Sequence, residues 1–238
     1  MLRFLNEWLK RTVNMNGTDS HPEAHEAAIL DAAASVFADN GFAGARVEAI
    51  ARAAGINKAM LYYRVGDKAR LYELVVMRQF GRVACMVEGA AEAPGEPAAK
   101  LERVLSALAG LFEEDPRLPR FMAWELASGG RNLPAQVLAA WGRILGAVSP
   151  ALARAGLDPV LAYLSLLAPM VFTSLTGPVR KRIGAGAPPP LARVASLGGG
   201  DMAAFLGDLF RRAAGEGARG RVEERHESSS GTPLKGAP

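Results

Sequence analysis

Three short amphipathic runs, each cut off by a glycine, constrain this chain more than any other feature. Ile29, Ala32, Ala33, Val36 and Phe37 fall at i, i+3, i+4, i+7 and i+8, and Asn40-Gly41 closes the run. Val47, Ile50, Ala51 and Ala54 repeat the helical period over about two turns before Gly55. Asn57 then suits the N-cap of a third run, to about Tyr63, with Gly66-Asp67 after it. Helices this short do not hold in isolation, so their apolar stripes must cover one another. Hydrophobic residues make up 50% of the 238, and alanine, leucine and glycine dominate. Strand-type alternation is scarce. The expected class is all-α.

The spacing predicts further helices beyond this trio. Asp67 caps a long fourth one from Lys68, ended by Ala-Pro-Gly-Glu-Pro at 93–97. Others are expected from Ala98 to Glu114, Pro116 to Ser128, Leu133 to Val148, Pro159 to Ile183 and Met202 to Ala214. A Gly, Pro and Ala-rich loop fills 184–200. At the start, Ser20 and Glu23 have capping-box spacing. The expected organisation is an N-terminal extension at 1–21, a first domain at 22–82, a helical domain at 83–216 and a disordered tail at 217–238.

Net charge is +4, and its placement matters more than its size. Between residues 46 and 70 the cations are Arg46, Arg52, Lys58, Arg64, Lys68 and Arg70, and the acids are Glu48 and Asp67. Six minus two equals the whole chain's excess. A local basic face suits a polyanion through phosphate contacts, and a solvated arginine-rich surface is the other reading. Cys85 is the single cysteine, which excludes an internal disulfide and a thiolate zinc site. Its apolar helical setting points to a core thiol, and a reducing cytoplasm fits.

The first residues do not make a secretory signal, because Asn6, Glu7 and Lys10 interrupt the apolar run. A frayed extension, or translation from Met15, is expected there. Residues 159–179 carry no charge and have the length of a membrane span. Pro169 interrupts that run, Gly177-Pro178 ends it, and Ser165, Thr173, Ser174 and Thr176 dilute it. A helix apolar all round also fits a protein core or a subunit interface, and no membrane is expected.

Ala51, Gly55 and Leu61 have the spacing of a helix-turn-helix. Ala51 lets the third helix cross closely, and Gly55 takes the positive φ of the sharp turn. Ile56 and Leu61 plug its underside, so Asn57, Lys58, Met60 and Tyr63 point outward. A protruding helix of this kind fits a major groove.

From about Glu23 to Leu74 the chain, through the run "ILDAAASVFADNGFAGARVEAIARAAGINKAMLYYRVGDKARLYELV", resembles the DNA-binding domain of the TetR family of bacterial transcriptional regulators. The resemblance implies a homodimer with recognition helices in successive grooves of a palindromic operator, the motif at about 45–64, and double-stranded DNA as partner. It implies a C-terminal cavity and repression relieved by a small-molecule effector. By that likeness Asn57 stands where a capping serine lies near phosphate. Lys58, Ala59 and Met60 stand where bases are approached, and Met60 offers only an apolar contact. Tyr62 and Tyr63 match the family's tyrosine positions, Tyr62 packing and Tyr63 reaching backbone. Lys68 matches a phosphate-contacting lysine at a helix start, where its charge is awkward beside the positive dipole end. Arg46 replaces the usual capping Ser or Thr and can reach a phosphate. Arg64 and Val65 replace a His-Phe or Tyr-Phe pair, so Val65 fills less volume.

The C-terminal part offers Met86, Phe112, Phe121, Trp124, Trp141 and Tyr163 as lining for an apolar effector pocket, or as ordinary core. Glu125 could face a cationic ligand or solvent. The 159–179 helix with 202–214 is the expected dimer interface. His21 and His25 lack the neighbouring glutamate and third ligand of a zinc hydrolase, and Gly215, Gly217 and Gly220 follow no strand. No catalytic constellation, metal or cofactor is expected. The competing reading is an all-helical carrier or sensor of small molecules without DNA binding.

Overall fold

The computed structural model describes residues 22–184 and 186–229, and every structural statement below concerns these residues. They form helices α1 (Pro22–Gly44), α2 (Val47–Ala53), α3 (Lys58–Val65), α4 (Lys68–Glu92), α5 (Pro97–Glu114), α6 (Arg117–Ser128), α7 (Val137–Arg154), α8 (Pro159–Gly184), α9 (Pro189–Ser196) and α10 (Gly199–Ser229). No strand occurs among the described residues. The expected N-terminal extension and the serine of the Ser20–Glu23 cap lie outside them, as do 230–238.

The chain divides into two compact units. Among the described residues the first comprises 22–85 together with 115–141, so the division is not the contiguous one expected at 82. Its core gathers Ile29, Ala33 and Phe37 from α1, Ile50 from α2, Leu61 from α3, and Leu71, Tyr72 and Val75 from α4. Phe121 of α6 joins them. Phe37 and Tyr72 meet edge to face at 4.8 Å. A buried carboxylate knits the polar rim: Asp115 accepts from Arg117 Nε at 2.6 Å and Nη2 at 2.8 Å, and from Arg82 at 2.9 Å. Burial works against the ionised Asp115, yet the bonds from Arg117 and Arg82 hold its carboxyl below the usual range.

Helix α1 runs to Gly44 rather than stopping at Asn40, but Gly41 breaks its conformation with φ 66° and ψ 177°. Trp124 explains the break. Its indole lies against Gly41, 3.0 Å from where a Cβ would stand, and its Nε1–H donates to the Ala38 carbonyl at 3.0 Å. A side chain at residue 41 would collide with that ring.

Among the described residues the second unit comprises 86–114, 142–184 and 186–229. There α10 packs along α5 and α8, and α8 also touches α5 and α9. Arg103 caps the end of α4 by donating to the carbonyls of Ala90, Ala93 and Pro94. Arg180 of α8 ties in the chain before α10 by donating to Leu197 O at 2.8 Å.

Four local expectations change. The 184–200 stretch contains α9, begun by Pro189 at a position where the missing amide costs nothing. The segment expected as a tail from 217 continues α10 as far as Ser229, its Arg and Glu residues being good helix formers that outweigh Gly217 and Gly220. Helix α7 starts later than Leu133 and runs past Pro150 to Arg154. Cys85 is exposed rather than a core thiol, because it falls on the outer side of α4 between buried Ala84 and Val87.

Candidate nucleic-acid interface

The turn between α2 and α3 is a Schellman motif. Gly55 N–H donates to Arg52 O at 3.1 Å and Ile56 N–H to Ala51 O at 3.0 Å, with Gly55 at φ 68°. Ile56 packs onto the core that holds Ala51 and Leu61, which fixes the crossing of the two helices. Asn57 then caps α3: its Oδ1 accepts the Met60 amide at 2.7 Å. Arg46 precedes α2 with no side-chain cap, as a residue without an acceptor must. Asp67 caps α4 through the Arg70 amide at 2.8 Å.

Leu61 and Val65 face inward, so the rest of α3 is left outside. Val65 is buried despite its smaller volume. Asn57, Lys58, Ala59 and Arg64 are exposed, and Arg46 is exposed at the head of α2. Met60 is 40% exposed and Tyr63 88%, the most open aromatic ring of the set. Tyr62 is 42% exposed rather than packed into the core. Its position on α3, one residue past Leu61, turns it away from the seat Leu61 occupies, and Lys58 covers part of its ring, Nζ 5.7 Å from the centroid.

Two cations have seats that no sequence period reveals. Lys58 Nζ donates to Glu48 Oε1 at 2.6 Å across the turn. That bond raises the lysine's pKa and lowers the carboxyl's. Lys68 Nζ lies 4.8 Å from the Phe42 ring centroid and 3.4 Å from the Ala43 carbonyl. A ring face and a carbonyl oxygen offset the unfavourable field at the start of α4, while the ammonium keeps further donors for a phosphate. Glu48, Phe42 and Ala43 are the functional neighbours that sequence reasoning missed. Each lies ten or more residues from its lysine, outside any helical repeat.

The six pocket candidates do not converge. Phe121 sits in the core of the first unit, Trp124 holds Gly41, and Trp141 packs at 6.3 Å from Phe80 in that same unit. Glu125, in that unit, is buried and accepts the Tyr72 hydroxyl, so it faces neither solvent nor a ligand. In the second unit, an apolar cavity of about 30 Å³ is lined by Leu101, Leu105, Ile144, Val148 and Tyr163, among others. Of the candidates, Tyr163 lines it, and Met86 and Phe112 do not. Burial raises the Tyr163 phenol's pKa.

Residues 29–75 match the model of the bacterial regulatory proteins, tetR family. The HTH-type transcriptional repressor SCO4008 of Streptomyces coelicolor is 33% identical over 114 residues, 48% of this chain and 56% of that protein. The chain therefore spans about half the length of that relative. Two solved structures share the fold. The TetR family regulator PfmR of Thermus thermophilus is 22% identical, with a TM-score of 0.59 over 77% of this chain and 97% of that one. The transcriptional regulator FadR of Bacillus subtilis, in complex with stearoyl-CoA, is 19% identical, with a TM-score of 0.62 over 78% of this chain and 97% of that one. At these identities the likeness is one of fold. Residues 29–75 thus match the tetR family of bacterial regulatory proteins, and the all-helical fold is shared with these structures along most of the chain.

Proposed function

We propose that the protein is a DNA-binding transcriptional regulator, a repressor that a small apolar effector releases from a palindromic operator. The observation that carries this reading is the outer face of α3. A capped helix of eight residues presents Lys58, Ala59, Met60, Tyr63 and Arg64 to solvent while Leu61 and Val65 anchor it. Such a helix suits a major groove, with Arg46, Asn57, Tyr62, Tyr63 and Lys68 on the flanking phosphates. The protein works as a homodimer in the cytoplasm. One side of α8 supports the pairing: Leu161, Leu164, Phe172, Val179 and Ile183 are exposed there, and Phe205 and Leu209 are exposed on α10, which packs beside it.

The effector enters the second unit at the apolar cavity. At about 30 Å³ the space takes little more than a water, so an organic ligand must displace lining leucines. Release follows because the rearranged state binds the operator less well. The stearoyl-CoA of the Bacillus subtilis protein makes long acyl chains the first class to screen against this lining.

Electrophoretic mobility shift with the DNA upstream of the protein's own gene is the test. Wild type should bind. Tyr63→Ala should weaken binding without altering thermal stability. Lys68→Ala should weaken it and reduce the magnitude of the salt slope by about 0.9, one phosphate's share. Unchanged binding in both variants removes the assignment of this face.

A further inference from the structure

The face proposed to meet the duplex contains a carboxylate paired with one of its own cations. Asp67, the other acid between residues 46 and 70, is occupied as the cap of α4. Glu48 stands in the first turn of α2, where its carboxylate meets its own backbone amide, and it pairs with Lys58 of α3 at 2.6 Å. Both side chains are about half exposed, and Lys58 shares its flank of α3 with the exposed Tyr62 ring. On a face meant only for phosphates, an acid at this point weakens binding twice. It repels the backbone, and it neutralises a lysine.

A donor and an acceptor side by side have a natural counterpart. A G·C pair shows in the major groove the guanine N7 and O6 acceptors and, next to O6, the cytosine N4 amino donor. Lysine is suited to the first and glutamate to the second. We propose that Glu48 and Lys58 together read one G·C base pair, Lys58 donating to guanine O6 and N7 and Glu48 accepting from cytosine N4. This rests on the DNA-binding reading above and adds to it a specificity residue. The 2.6 Å separation suits the pair, because O6 and N4 are themselves hydrogen-bonding neighbours within the base pair. Opposite phosphates, or on the wrong base pair, Glu48 keeps Lys58 for itself. The ion pair thus lowers non-specific binding while permitting the correct contact, which is discrimination through a repulsive element.

The experiment is selection of bound sequences from a pool of randomised duplexes, run with wild type and with Glu48→Gln, a change at an exposed side chain that leaves the core intact. Wild type should enrich a G·C pair at one position in each half-site, by roughly five- to a hundred-fold over other pairs. Glu48→Gln should lose that preference or move it to adenine, which glutamine reads through N6 and N7, and leave the other positions unchanged. On a mixed-sequence duplex with no selected site, Glu48→Gln should bind more tightly and with a salt slope steeper by about 0.9, because Lys58 is released. That steepening should vanish when Lys58→Ala is added. If wild type enriches a motif and Glu48→Gln enriches the same one with the same slope, this inference falls and the regulator reading stands. An A·T preference lost in the variant also overturns the assignment of a G·C pair. If wild type enriches nothing from the pool, both readings fall.

Discussion

Gly41→Ala and Gly55→Ala form a pair of substitutions whose difference is decided by what surrounds them. Both glycines have nearly the same φ, 66° and 68°. Around Gly55 no heavy atom lies within 4 Å of an added Cβ, so alanine meets only backbone strain, about 1 kcal/mol. At Gly41 the ψ of 177° puts the residue in a region nearly reserved for glycine, about 1–3 kcal/mol for any other residue. The added methyl also stands 3.0 Å from both Cδ2 and Cε3 of Trp124. The indole cannot retreat cheaply, because Nε1 is bonded to Ala38 O at 3.0 Å and the ring is a rigid plane. Overpacking of this kind adds roughly 1–3 kcal/mol. Gly41→Ala should therefore destabilise by about 2–6 kcal/mol and Gly55→Ala by about 1. Urea unfolding followed by circular dichroism and tryptophan fluorescence gives both midpoints, and unchanged slopes would confirm that only stability moved. A Gly41→Ala midpoint within about 0.5 kcal/mol of the Gly55→Ala one would refute the argument that Trp124 dictates the break in α1.

Tyr72 should be sensitive both to substitution and to alkali. Its hydroxyl donates to buried Glu125, which Ser128 also meets, so Tyr72→Phe leaves a carboxylate short of a donor and should cost about 1–3 kcal/mol in urea unfolding. Burial first, and then the bond to Glu125, raise the phenol's pKa above its ordinary 10.0, so the folded state holds this proton more tightly than the unfolded one. The contribution is complete below pH 10 and is lost as pH rises above it; stability curves from pH 8 to 11 should fall less steeply for Tyr72→Phe than for wild type. On α8, Phe172→Glu should turn a dimer into a monomer with an unchanged helical spectrum, read by sedimentation velocity. A dimer surviving Phe172→Glu would place the interface elsewhere.

Local chemistry was legible in the sequence wherever the cause lay within a few residues. Asn57 and Asp67 cap the helices they precede, Gly55 makes the turn, Leu61 plugs it, and Arg46 provides no cap. The outcome differed wherever the partner was distant. Nothing near Trp124 in sequence says that it will sit on Gly41, and a Trp in a helical run looks alike in a pocket wall and in a core. Tyr62 illustrates the same limit: position on α3 decided its exposure, and Lys58 shields it in place of a core. Lys68 looked like a charge waiting for a phosphate, whereas Phe42 and Ala43 already give it a seat. The extent of α10 turned on weak propensities summed over many residues, which single glycines did not reverse.

The uncharged helix remains to be placed energetically. By length and composition α8 could cross a membrane, with a mean hydropathy of 1.6 in its most apolar window. A membrane span surrounded by lipid has no reason to sort its faces. Here the faces are sorted. Met170, Val171 and Thr173 are buried within the second unit, while Leu161, Leu164, Phe172, Val179 and Ile183 recur at three, four or seven-to-eight residues along the opposite side. Arg180 is turned inward to hold Thr173 O and Leu197 O, which a lipid-facing helix would not demand. A stripe committed to protein on one side and apolar on the other suits the subunit interface proposed above. Phe205 and Leu209 on the neighbouring α10 widen it beyond a single helix, so two copies meeting there would bury four helices together and remove a surface that water would otherwise have to cover.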